Sequence, residues 1–383
     1  MTNSANHLRD FKFYCSVCEL KLSIEERFKG QIISCPKCKV DFHAPKPSYP
    51  AGTYIGDFRL DALIGSGSMA EVYSAYHKLM DRWVAIKIIK QKKLDLEERL
   101  RFQREIQCLS RFHHPHFVGV VYAGEYHDDY YLAMDLIKGK TCKELSVIEG
   151  PFKVKRSLTY CLQIAEAMKY AWDQLKLLHR DIKPSNIMVD TKKDFALLTD
   201  LGISKSLAVE SDLTKIDMVL GSPYYMSPEQ AANKELDQRS DIYALGATLY
   251  HFLSGAPPFD GQSPMEVLVA KTDTLPTPLI DLCPDLPKTI HDLVSYLMEF
   301  KLVDRPADWD EVIELLKNAL KKSADHSKKA PYKKAKTSGS TMKLSMSTGK
   351  QKSAKRKTPP REVSKEKPVE TKKTPFSLFK KRN

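Results

Sequence analysis

The chain has 383 residues, of which 42% are hydrophobic and 28% charged, with a formal net charge of +13. This length exceeds one typical domain and the apolar share suffices for a packed core, while no run reaches the roughly 18 apolar residues of a membrane span. The charge is local: Ser323 to Asn383 holds 19 Lys and Arg against 4 Asp and Glu, a net +15 that leaves −2 for the rest, which excludes a uniformly basic body.

The first ten residues are polar and lack the apolar segment of a secretion signal. Cys108, Cys142, Cys161 and Cys283 stand singly in apolar surroundings, which fits a reducing cytoplasm better than a disulfide framework. Cys15-Ser16-Val17-Cys18 and Cys35-Pro36-Lys37-Cys38 are two C-x₂-C pairs with 16 residues between them. Each pair can bend into a knuckle offering two thiolates, and two facing knuckles make a closed tetrahedral zinc site. The segment 11–46 is too short to bury a core of its own, so the metal would supply the missing free energy and the site reads as structural. A redox-active dithiol is the rival, disfavoured by two pairs without a surrounding βαβ pattern. His43 reads as a surface residue, and the proline-rich stretch before 54 as a stiff linker over 47–53.

Phe58 to Ile64 alternates as a strand and runs into Gly65-Ser66-Gly67-Ser68-Met69-Ala70-Glu71-Val72. Small residues in a strand–turn–strand hairpin let backbone N–H groups approach phosphates. Trp83 to Ile89 is a β-branched strand with Lys87 between apolar neighbours, and a buried ammonium needs a counter-charge. The next stretch, about 95–111, has Leu96, Leu100, Ile106 and Leu109 at helical spacing and offers Glu98 or Glu105. Tyr130 to Ile137 is a further strand, and Ser157 to Trp172 an amphipathic helix with Leu158, Cys161, Leu162, Ile164, Ala165 and Met168 on one face.

His179-Arg180-Asp181-Ile182-Lys183-Pro184-Ser185-Asn186 follows, a polar loop between apolar flanks. Asp181 can accept a proton from a hydroxyl, Lys183 can neutralise a transferring phosphoryl group, and Asn186 can offer a hard oxygen to magnesium. Fourteen positions past Asn186, Thr199-Asp200-Leu201-Gly202 supplies a second metal-binding carboxylate after the apolar run Phe195 to Leu198. Arg180 beside the base needs an anion, which points to phosphorylation within 200–229, with Thr214 ahead of Ser211 and Ser204 as acceptor.

In this order and spacing the segments resemble the bacterial (Hanks-type) serine/threonine protein kinase family over about 265 residues. The resemblance implies an α+β, two-lobed fold: a small, mainly β N-lobe and a larger helical C-lobe over 54–320, preceded by a ribbon of the kind sometimes found ahead of such kinases. It implies ATP and magnesium as cofactors and protein hydroxyls as acceptors. Nucleotide would lie among Ile64, Gly65, Gly67, Val72, Ala85, Lys87, Asp135, Ile137 and Met188, with Met134 limiting the back pocket. The resemblance selects Glu105 as partner of Lys87, and Asn186 and Asp200 as magnesium ligands. Lys183 two places after Asp181 matches the Ser/Thr branch, as does Ser222 in Gly221-Ser222-Pro223, where a hydroxyl would bridge Asp181 and Lys183. Ser227-Pro228-Glu229, Arg305 and Asp241 match structural anchors of the family. The chain departs from the pattern at Ala70, where a third glycine is usual, and at Leu201, where Phe is usual. A scaffold without catalysis and a small-molecule kinase on the same fold are the alternatives. The tail over 323–383 is rich in Lys, Ser, Thr and Pro, reads as disordered, and offers contact to polyanions or an acidic membrane surface.

Overall fold

The computed structural model describes residues 10–15, 20–67, 70–89, 113–127, 129–200, 223–261 and 263–329. Cys18, Glu105 and its stretch, Leu201, Thr214, Ser222 and nearly all of the basic tail lie outside these residues. The chain divides into two units, Met1–Pro331 and Tyr332–Asn383, the second wholly outside the described residues.

Strands β1 (Asp10–Tyr14) and β2 (Lys21–Glu25) form an antiparallel hairpin, followed by the small hairpin β3 (Ile32–Ser34) and β4 (Asp41–His43). After β5 (Tyr54–Ile55) come β6 (Phe58–Ser66), β7 (Ala70–His77), β8 (Arg82–Ile89), β9 (Val120–Tyr126) and β10 (Asp129–Asp135). They share one sheet in the order β2-β1-β6-β7-β8-β10-β9, with β5 also on β6. The alternation read in β6 is real at its start, where Phe58, Leu60 and Ala62 face inward. The cysteine segment is thus continuous with the N-lobe: β1 runs parallel to β6 with Phe13 opposite Leu63. Residues 47–53, read as a linker, are also held: Ser48 N–H donates to Glu71 (3.1 Å) and the Tyr49 hydroxyl to Asp129 (3.0 Å).

The second half is mostly helical. A three-stranded sheet of β11 (Gly139–Thr141), β12 (Ile187–Asp190) and β13 (Phe195–Leu198) roofs it. Helix α1 (Cys142–Glu149) starts at a Thr141–Glu144 capping box. Helix α2 (Val154–Leu175) buries Leu158, Cys161, Ile164, Ala165 and Met168, the face expected from their spacing. Next are α3 (Pro228–Ala231), α4 (Gln238–Ser254), α5 (Pro264–Asp273), α6 (Leu279–Leu282), α7 (Lys288–Leu297) and α8 (Trp309–Lys329). Helix α4 is buried on nearly all sides from Ser240 to Leu253, so it forms the axis of the lobe. Asp237 caps its start and Gly255, at φ 84°, ends it. Within it, a Cβ on Gly246 would lie 2.7 Å from Leu297 Cβ, so only glycine lets α4 and α7 approach this closely. No helix among the described residues is long and apolar enough to cross a membrane.

Candidate active site

The pairing of β12 with β13 brings the two acidic loops together. Ile187 lies opposite Leu198, which sets Asn186 beside Thr199, and Thr199 N–H and Oγ1 both donate to Asn186 O (2.8 and 3.1 Å). The loop before β12 carries Asp181, Lys183 and Asn186; the turn after β13 carries Asp200.

Lys183 Nζ meets Asp181 Oδ2 at 2.9 Å. Asn186 Nδ2 donates to Asp181 O and to Asp181 Oδ2, each at 2.9 Å. Both amide hydrogens are thereby committed, and Oδ1 is the atom left as an acceptor for a hard cation. Asp181 N–H donates to His179 Nδ1 (3.3 Å), so the ring proton sits on Nε2, which donates to Thr199 O (2.9 Å). Asp241, buried at the start of α4, accepts from His179 N–H (2.7 Å) and Arg180 N–H (2.8 Å), fixing the loop to the lobe's axis.

Lys87 Nζ pairs with Asp200 Oδ1, so a strand of the N-lobe sheet and the turn after β13 converge on one point. Glu105 lies outside the described residues, and the carboxylate that meets Lys87 here is Asp200. Arg180 (φ 61°) and Asp200 (φ 57°) both adopt left-handed backbone, a conformation costing about 1–2 kcal/mol for most residues and held by surrounding contacts.

The hairpin β6–β7 arches over this point. Gly65 is in register with Val72, and Val72 with Lys87. Gly67 N–H donates to Ala70 O at 2.8 Å, closing the turn. Ala70 does not take a positive φ, so its methyl group is accommodated where the family has a third glycine. Ala85 stands opposite Met134 across β8 and β10, and Met188 opposite Thr141 across β12 and β11. Asp135 N–H donates to Gly119 O (2.9 Å), and its carboxylate pairs with Arg82. Ile64 is exposed on β6 and Ile137 half-buried after β10.

One participant escaped the sequence reading. Gln230 Oε1 accepts from Ser227 N–H (3.0 Å), while its Nε2 donates to Arg180 O (3.1 Å), tying α3 to the polar loop. Ser227 and Gln230 form a capping box, a pattern visible in the sequence as Ser-x-x-Gln.

In the N-terminal segment, the sulfurs of Cys15, Cys35 and Cys38 lie within 4.8 Å of one another, and Cys15 and Cys38 are 3.7 Å apart. A tetrahedron with zinc–sulfur bonds of about 2.3 Å has sulfur–sulfur edges of about 3.8 Å, whereas a disulfide needs about 2.05 Å.

Residues 58–324 match the protein kinase domain. Serine/threonine-protein kinase PrkC of Bacillus subtilis (strain 168) is 36% identical over 240 residues, 62% of this chain and 37% of that protein. A probable serine/threonine-protein kinase PknB of Corynebacterium glutamicum is 35% identical over 260 residues, 66% of this chain and 40% of that protein. The chain thus spans about two fifths of the length of these curated relatives. The crystal structure of Rad53 1-466 in complex with AMP-PNP shares the fold, with a TM-score of 0.56 and 22% identity over 67% of this chain and 64% of that one. With the domain matched over most of the chain and the fold shared, the chain belongs to the protein kinase domain family.

Proposed function

We propose that the chain transfers the γ-phosphoryl group of ATP to serine and threonine hydroxyls of proteins. The observation that carries the reading is the convergence of Lys87 and Asp200 beside the Asp181–Lys183–Asn186 cluster. The donor set fits magnesium: Asp200 and Asn186 Oδ1 are hard oxygen ligands, and the neighbouring Lys87 carries the charge a phosphate needs. When bound there, magnesium would offset phosphate charge and bridge the phosphates to the protein.

This chain's own groups would do the rest. Lys87 holds the α- and β-phosphates, and the β6–β7 hairpin covers them with backbone N–H groups. Asp181, oriented by Asn186, accepts the hydrogen bond of the incoming hydroxyl and takes its proton. The acceptor oxygen bonds to the γ-phosphorus as the bond to the β,γ-bridging oxygen breaks, releasing ADP, while Lys183 stabilises the equatorial charge. Lys183 and Ser222 favour the Ser/Thr class, and Arg180 would bind a phosphate on Thr214. We further propose that Cys15, Cys18, Cys35 and Cys38 hold one structural zinc ion, and that the basic tail contacts polyanions through charge alone.

The test incubates the full chain with γ-labelled ATP and magnesium and identifies the labelled residues. Label on serine and threonine is the expected result. Label on tyrosine alone, or only on an added small molecule, overturns the substrate class.

A further inference from the structure

We propose that the cysteine ribbon positions the nucleotide-covering hairpin, so that metal occupancy at Cys15, Cys18, Cys35 and Cys38 sets nucleotide affinity. The inference rests on the zinc reading above and adds a coupling to it.

Both strands of the hairpin are held from the ribbon side. On β6, Phe13 of β1 is in parallel register with Leu63, and both side chains enter one apolar cluster. Lys21 of β2 bridges to Asp61 at 2.5 Å, and Asp61 also accepts from Ser74 Oγ of β7 at 3.3 Å. This single carboxylate therefore joins the ribbon to both arms. On β7, the buried Glu71 accepts from Ser48 N–H (3.1 Å), Ser48 Oγ (3.3 Å) and the Tyr73 hydroxyl (2.7 Å). Tyr49 N–H donates to the Tyr73 oxygen (3.2 Å), and the Tyr49 hydroxyl reaches Asp129 of β10 (3.0 Å). Burial and the Glu71 carboxylate push the Tyr73 pKa up, so that hydroxyl remains a donor. Glu71 lies opposite Ser66 at the loop end of the hairpin, next to the turn closed by Gly67 and Ala70.

The thiolates sit where they can transmit order into these contacts. Phe11 and Phe13 alternate on the buried face of β1, and Cys15, just past the strand's end, is buried as well. Cys35 and Cys38 lie in the turn between β3 and β4, whose Ile33 and Phe42 pack on the shared cluster, with Phe42 edge-on to Phe13 at 6.2 Å. The chain leaving β4 leads directly to Ser48. A bound metal joins Cys15, just past β1, to Cys35 and Cys38, between β3 and β4; without it, the Phe13 edge and the Ser48–Tyr49 strap lose their common anchor. Couplings of this kind typically change affinity about 5- to 150-fold and are reciprocal, so nucleotide must tighten metal by the factor by which metal tightens nucleotide.

The test uses the full chain and measures three things: zinc content, affinity for ADP with magnesium, and zinc affinity with and without saturating ADP. Cys35→Ser/Cys38→Ser should lack zinc and bind ADP about five- to tenfold more weakly. Glu71→Gln leaves all four thiols in place; it should retain zinc and still bind ADP several-fold more weakly. In the unaltered chain, ADP should raise zinc affinity by the factor the cysteine variant loses. Zinc-bearing protein whose zinc affinity ignores ADP, together with a Glu71→Gln variant of unchanged ADP affinity, overturns the coupling and leaves the zinc reading standing, whether or not the cysteine variant folds. A chain isolated under reducing conditions without zinc overturns both.

Discussion

The ammonium of Lys271 is wholly buried on α5, 4.3 Å from the ring centre of Phe259 and 5.4 Å from that of Tyr243, and its Nζ has no hydrogen-bond partner among the described residues. Burial pushes its pKa down to about 7. With the folded value depressed, the unfolded chain binds more protons between pH 7 and lysine's ordinary value near 10.5, so stability rises with pH across that window. The penalty is full below pH 7 and disappears above the unfolded value. Lys271→Met should therefore stabilise the protein by a few kcal/mol at pH 6–7, with the gain shrinking as pH rises toward 10. Urea unfolding across that range checks this, and a gain independent of pH contradicts it. At this scale the sequence was legible where chemistry concentrates in short loops. Asp181, Lys183, Asn186 and Asp200 are polar groups bracketed by apolar strands, and the structure gathers the first three within hydrogen-bonding distance. Lys271 and Glu71 were not legible, because each is one charge in an ordinary amphipathic segment whose burial depends on elements far away in the chain.

Among the elements, α3 and α4 are locked by a buried ion pair. Arg305 Nη1 and Nη2 donate to Glu229 at 2.8 Å each, Ser240 Oγ adds a bond of 2.6 Å, and Arg305 also reaches the carbonyls of Glu299, Arg239 and Phe300. Burial alone would raise the Glu229 pKa, but the Arg305 and Ser240 hydrogen bonds outweigh it and hold the carboxyl below its usual value. Its contribution is present above the ordinary carboxylate range and is lost as pH falls through the lowered folded value. Arg305→Met should cost about 3–5 kcal/mol, because it strands a buried carboxylate, and adding Glu229→Gln should recover part of that. Denaturant unfolding of the single and double variants decides it; a loss under about 1 kcal/mol for the single variant refutes the account. Element identity was readable from periodicity, as in α2, expected over 157–172 and found at Val154–Leu175. The added turn at its start carries Lys155 and Arg156, which supply no apolar signal. The strap at 48–49 was unreadable for a different reason: a proline-rich string does not reveal that its polar groups meet Glu71 and Asp129.

At the scale of the described residues, strands β1 and β2 of the cysteine segment, the β6–β7 hairpin and the Lys87 strand share one sheet, and the turn after β13 in the helical half brings Asp200 to Lys87. Under the proposed function, Lys87, Asp181, Asn186 and Asp200 act as one unit in moving a phosphoryl group. The direct measurement is the single-turnover rate of label transfer from γ-labelled ATP at saturating ATP and magnesium, for the unaltered chain and for Asp200→Asn, with thermal unfolding of both recorded. The substitution keeps the side chain's shape while removing the charge that faces Lys87. The account predicts a rate lower by about a thousandfold or more with a nearly unchanged unfolding midpoint. A folded Asp200→Asn protein that transfers label at close to the unaltered rate would contradict it.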